Sequence, residues 1–126
     1  DGAAGGVIAS AMDLARLDRA LMSGRLISAA SRQQMWTPYR TASGTDLPYG
    51  LGWFIADRSG RRLVWHTGLW DGCYSALYLK VPAEGLTLIL LANSEALKWP
   101  TRLDEAAIER SDFANAFLTA FPAPRP

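Results

Sequence analysis

Apolar positions recur at helical spacing at the two ends of the chain and at strand spacing between them. Leu14, Leu17 and Leu21 repeat every three or four residues behind Ser10 and Asp13, a capping box in which each side chain satisfies an early backbone amide. This predicts a helix over about 10–23, ending at Gly24. A shorter helix is predicted over about 28–36, capped by Ser28 and stopped by Thr37-Pro38, because the residue before a proline is pushed out of helical geometry. Thr101 to Asp104 repeats the capping box and opens a third helix, expected over about 101–121. Leu103, Ala107, Ala114, Leu118 and Phe121 would form its buried stripe, and Pro122 would stop it.

In between, β-branched and aromatic runs alternate with turn residues. Strands are expected at about 49–56, 62–67, 73–81 and 86–93, separated by Asp57 to Gly60, Asp71-Gly72 and Pro82 to Gly85. Such short turns predict an antiparallel meander. In the third strand Cys73, Ser75, Leu77, Leu79 and Val81 share one face, and Tyr74, Ala76, Tyr78 and Lys80 the other, so neither face reads as plainly solvent. The segment 86–92 is apolar on both faces and is expected to be a central strand. The glycine-rich opening, Asp1 to Gly6, has no side chains to anchor it, and 41–45 is a polar loop. With no internal repeat or linker, 1–126 reads as one domain of α+β class: an antiparallel meander packed with a long C-terminal helix, preceded by two short helices.

Composition narrows the function classes. The chain has 49% apolar and 20% charged residues, the balance of an ordinary globular domain. A net charge of +1, with 11 of 13 basic residues being scattered arginines, supplies no field for nucleic acid. No apolar run approaches the ~20 residues of a membrane span, and no signal-peptide pattern is present. Cys73 is the only cysteine, so it forms no internal disulfide and does not report the compartment; it reads as a small buried hydrophobe. One histidine and one cysteine cannot supply a zinc-type ligand set, and neither metal nor cofactor is expected.

The candidate chemistry gathers at Trp65-His66-Thr67-Gly68 and the residues after it, Leu69-Trp70-Asp71-Gly72-Cys73. On residue physics alone, His66 is a polar group closing a strand end with its ring bonded to a neighbour, and Trp53 and Trp65 are core residues inside strand patterns. Trp70, in the expected turn, is a candidate ligand-binding surface, while Glu95, Lys98 and Arg102 read as solvated charges.

The His-Thr-Gly triplet, the preceding Tyr49-Gly50-Leu51-Gly52-Trp53 and the later Leu91-Ala92-Asn93 resemble, in that order, the C-terminal part of the class C β-lactamase-related serine hydrolases, the family of penicillin-binding DD-peptidases and esterases. The resemblance implies that His66 and Thr67 contact the substrate carboxylate or its equivalent. It also implies that the Leu69 backbone amide is an oxyanion donor and that Gly68 lets the backbone approach substrate. Trp70 would line the cleft. Relatives often carry a second glycine where Leu69 stands, which implies a narrower site here. A histidine is not a fixed positive charge as the lysine of many members is, and this favours an esterase- or peptidase-like parent over a dedicated β-lactamase.

The family's nucleophile motif Ser-x-x-Lys is not found in the chain, and no tyrosine is followed two residues later by asparagine. The expectation is therefore a C-terminal fragment of an acyl-transfer enzyme, inactive alone because it holds no nucleophile. The substrate of the complete protein would be a small acyl compound, an ester, amide or β-lactam. The alternative is a non-catalytic module that keeps the cleft shape to bind a ligand or partner, or to oligomerise. A doubly apolar last strand further suggests a homodimer through an exposed sheet. The compartment is not legible, although the resemblance is compatible with a periplasmic or secreted protein.

Overall fold

The computed structural model describes residues 5–100 and 105–123. Two helices come first, α1 (Ala11–Met22) and α2 (Ala29–Met35). A two-stranded hairpin follows, β1 (Tyr39–Arg40) with β2 (Asp46–Leu47), then four strands, β3 (Phe54–Arg58), β4 (Arg61–Trp70), β5 (Tyr74–Val81) and β6 (Leu86–Ala92). The last helix is α3 (Asp112–Ala120). The four strands form one antiparallel sheet in the order β3-β4-β5-β6, which makes the protein an α+β chain built on a meander.

Each face of the sheet has its own cover. Phe54, Leu63, Trp65, Leu77, Leu79 and Val81 pack with Ile108 and Ala114 on the α3 side, and Phe54 stacks on Trp65 at 5.5 Å. An ion pair of Arg61 with Glu84 at 2.7 Å closes the end of that core, and Arg58 donates to Asn115 of α3 at 2.8 Å. The opposite face carries a charge. Lys80 of β5 is 1% exposed and bonds to Asp18 of α1 and, at 2.8 Å, to the Thr87 hydroxyl. Tyr78 donates to the same Asp18 carboxylate, so four side chains close a network between helix and sheet.

α1 is capped as its sequence predicts: Ser10 and Asp13 form the capping box. Its leucine stripe covers the sheet incompletely, since no residue of α1 is buried and Leu17 is 48% exposed. Arg32 of α2 caps the far end of α1 by donating to the carbonyls of Leu21 and Met22 at 2.9 and 3.2 Å.

Four expectations are corrected. The third helix does not run over 101–121: the capping box at Thr101 to Asp104 lies outside the described residues, 108–110 is a single tight turn, and the α-helix begins at Asp112. Ser111 is the reason, because it adopts an extended backbone and caps the Ala114 amide, ending one segment and starting the next. Of the expected stripe, Ala107 and Ala114 are buried, while Phe121 is 48% exposed.

The first long strand begins at Phe54, not Tyr49. Gly50 donates to the Trp53 carbonyl at 2.7 Å and Gly52 takes a φ of +80°, so 49–53 is a tight loop. A Cβ on Gly50 would stand 2.3 Å from the Met35 carbonyl, so only glycine lets the loop lie against the end of α2. Among the described residues the apolar segment 86–92 is an edge strand rather than a central one, and Leu91 is 45% exposed. β4 runs on to Trp70, so the His-Thr-Gly triplet lies inside a strand and not at its end.

Burial alone would raise the Asp18 carboxyl, but hydrogen bonds from Lys80 and Tyr78 and the charge of Lys80 outweigh it and hold it below the usual carboxylate range. Burial first, and then the bond to Asp18, pushes the Tyr78 phenol upward. A depressed carboxyl stabilises the fold above its unfolded value, about 3.9, and loses that contribution as the pH falls through the lower folded value. Asp18→Asn is therefore expected to cost about 3 kcal/mol at neutral pH by leaving Lys80 buried and uncompensated. Urea denaturation across pH would show the gap between variant and parent closing only below about pH 4, and a gap that persists in acid would contradict this assignment.

Candidate functional site

The polar mouth of the sheet is built on β4. β3 pairs with β4 only over residues 61–65, whereas β5 pairs with it from 64 to 70. Among the described residues, 66–70 thus have a strand on one side and an open edge on the other. By register His66, Gly68 and Trp70 share one face with Tyr78, Ala76 and Tyr74, while Thr67 and Leu69 share the other with Leu77 and Ser75.

The side chains of His66 and Thr67 therefore leave the strand on opposite faces, and the two residues meet at the edge itself. There Nδ1 of His66 lies 2.6 Å from the carbonyl oxygen of Thr67, and Nε2 lies 3.0 Å from the Tyr49 hydroxyl. Backbone polar groups of successive strand residues point alternately to the two sides. Since the Thr67 carbonyl faces the open edge, the backbone groups of Leu69 face it too. An added Cβ on Gly68 would meet only the Ala76 Cβ, at 3.5 Å, so the chain's own packing does not require glycine there.

The expected site residues are thus brought together on one strand: His66, Thr67, Gly68, Leu69 and Trp70 line five consecutive positions of the open edge. Trp70 stands at the strand end rather than in the turn, 48% exposed and stacked on Tyr74 at 6.1 Å. With Tyr74 at 46% exposure it makes an apolar ledge on one face of the polar edge, while Leu69, 45% exposed, lies on the other face. Cys73 is exposed in the turn, contrary to its expected burial, because the turn lies beyond the last cross-strand pair, Trp70 with Tyr74. Trp65 is core, 1% exposed, and Trp53 is half-buried with its ring edge-on to Tyr78 at 5.1 Å. No group of three or more histidine, cysteine, aspartate or glutamate side chains among the described residues could hold a metal.

Three contributors were not legible in the sequence. Tyr49 sits in a segment with an apparent strand pattern, although the glycines on either side of Leu51 signal a turn. Glu95, read as a solvated charge, accepts from the Gly72 amide at 2.6 Å and ties down the β4–β5 turn. That bond, then the nearby Lys98, holds the Glu95 carboxyl below its usual range. Ser75, 3% exposed, donates to the Ser94 carbonyl at 2.6 Å and accepts from the Leu97 amide at 3.2 Å, fastening the loop after β6 behind the site. Local sequence holds no signal for these last two, because their partners lie about twenty residues away.

Ser75→Ala would leave the buried Leu97 amide without its partner and remove the donor to the Ser94 carbonyl. It is expected to lower stability by about 1–3 kcal/mol in urea denaturation, and a loss within experimental error would show that the fastening is idle.

Comparison with known proteins adds the following. A family model described as Beta-lactamase matches residues 1–112. "Penicillin-binding protein 4*" of Bacillus subtilis (strain 168) is 37% identical over 84 residues, 66% of this chain and 18% of that protein. "Putative penicillin-binding protein PbpX" of the same organism is 38% identical over 56 residues, 44% of this chain and 13% of that protein. The chain spans less than a fifth of the length of either relative. No solved structure matches it.

Proposed function

The chain belongs to the Beta-lactamase family, and from that premise we propose that it is the C-terminal part of a serine hydrolase that transfers acyl groups through a serine outside residues 1–126. The observation that carries this reading is the open edge of β4 from His66 to Trp70, with the backbone groups of Leu69 turned toward it. Acyl transfer puts negative charge on the carbonyl oxygen of the substrate, and preorganised donors aimed at that oxygen lower the barrier. In this reading the Leu69 N–H is one such donor, and Thr67 and His66 hold the remainder of the acyl compound, an ester, amide or β-lactam. Gly68 keeps the strand surface clear so that substrate can lie against it. Trp70, stacked on Tyr74, offers an aromatic wall to the apolar part of the substrate.

The nucleophile and its base are the parts this reading assigns elsewhere. Incubating the chain with a fluorophosphonate, and separately with a reactive penicillin, is expected to leave its intact mass unchanged. A stoichiometric adduct would place a nucleophile within residues 1–126 and would falsify the assignment. In a longer protein that carries both this chain and a nucleophile, Thr67→Ala is expected to lower kcat/KM for acylation by about ten- to a hundredfold, the loss of one hydrogen bond to a charged group.

The isolated chain is further proposed to pair β6 with β6 of a second copy. Among the described residues Leu86–Ala92 is an edge strand, and it has no charged residue and no proline to discourage such pairing. Light scattering after gel filtration should give the dimer mass at high concentration and a falling mass on dilution; a single-chain mass throughout would rule the pairing out.

A further inference from the structure

His66 is the only histidine of the chain, and both of its ring nitrogens are engaged. A backbone carbonyl can only accept, so at 2.6 Å from the Thr67 oxygen it is Nδ1 that carries the proton. In the neutral ring Nε2 is then a lone pair, and the Tyr49 hydroxyl at 3.0 Å donates to it.

Tyr49 is not a floating partner. Its amide donates to the Leu47 carbonyl at 2.7 Å and its carbonyl accepts from the Tyr39 amide at 2.9 Å, which stitches it to the β1–β2 hairpin. Its ring meets Phe54 edge-on at 4.8 Å. The next residue, Gly50, lies against the end of α2 so closely that a side chain would collide with the Met35 carbonyl, and Leu51 donates to that same carbonyl at 3.0 Å. The phenol is therefore aimed by the β1–β2 hairpin, β3 and α2, and not by β4.

We infer that Tyr49 is a positioning residue for His66: with the proton held on Nδ1 by the Thr67 carbonyl, its hydroxyl occupies the remaining lone pair and secures that tautomer, so that the neutral histidine offers no N–H to a ligand at the open edge. This rests on the acyl-transfer reading only for the identity of that ligand. An imidazole free in water favours the proton on Nε2, so the tautomer distinguishes a held ring from one that is merely nearby.

The test is a long-range proton–nitrogen correlation spectrum of the nitrogen-15 labelled chain at mildly alkaline pH, where a single histidine gives a single pair of ring nitrogens. The expected result is a pyrrole-like Nδ1 and a pyridine-like Nε2. Tyr49→Phe, which keeps the ring against Phe54, should draw the two nitrogen shifts together as the Nε2–H form becomes populated. A pyridine-like Nδ1 in the parent chain, or a Tyr49→Phe spectrum identical to the parent's, overturns the inference. Should the variant lose its folded amide spectrum, the parent tautomer alone decides. No substrate enters this measurement, so its failure leaves the acyl-transfer reading standing. An adduct on the isolated chain would sink that reading without touching this one.

Discussion

A lysine ammonium buried in the middle of a sheet must be matched, because an unpaired charge in that position costs several kcal/mol. Lys80 sets that constraint on β5, and Asp18 answers it from α1. The helix brings little burial of its own, so its leucines alone do not choose where on the sheet it sits. The carboxylate does, since it has to reach Lys80, Tyr78 and Thr87 at once. Hydrogen bonds are directional where apolar contact is not, which is why a poorly buried helix still docks in one place.

Contacts run from that pair to the candidate site through packed elements. α1 is held to α2 by Arg32, and the end of α2 receives the Gly50 loop, whose first residue, Tyr49, reaches His66. The same loop puts Trp53 edge-on to Tyr78, back on the network that binds α1. On the opposite face, α3 closes over Phe54, Leu63 and Trp65 through apolar contact, with Arg58 donating to Asn115 at its rim. The sheet is therefore fixed from both sides, while β3 stops at Phe54 and leaves β4 uncovered from His66 onward. Where a ladder stops, backbone donors and acceptors become free for a ligand. In this protein that happens beside its only histidine.

The residues show why some features were legible and others not. The Ser10–Asp13 capping box, the Ser28 cap and the turns at Asp57 to Gly60 and Pro82 to Gly85 are local devices whose partners lie within a few positions, and the structure forms helices and hairpins at each of them. The β4–β5 hairpin is legible as a hairpin, yet its first strand runs past Thr67-Gly68, whose turn composition predicts an end there, because the pairing of Gly68 with Ala76 and Trp70 with Tyr74 continues the strand. The place of segment 86–92 in the sheet is not legible for another reason: an apolar run states that a strand avoids water but not which neighbours keep water away.

The sequence by itself determined the α+β class and the antiparallel order of the meander, since both follow from spacing, capping and turn chemistry within short windows; that His66, Thr67, Gly68, Leu69 and Trp70 form a candidate site was legible only through the family resemblance. Only the tertiary structure decided that Lys80 is buried against Asp18, 62 positions away in the chain, that Tyr49 faces His66 across 17, and that Ser75 and Glu95 hold the turn and loop from which the edge projects. Those are contacts between distant segments. Nothing in the local pattern around either partner encodes them, because a side chain's period says which face it lies on and not what will be brought opposite it.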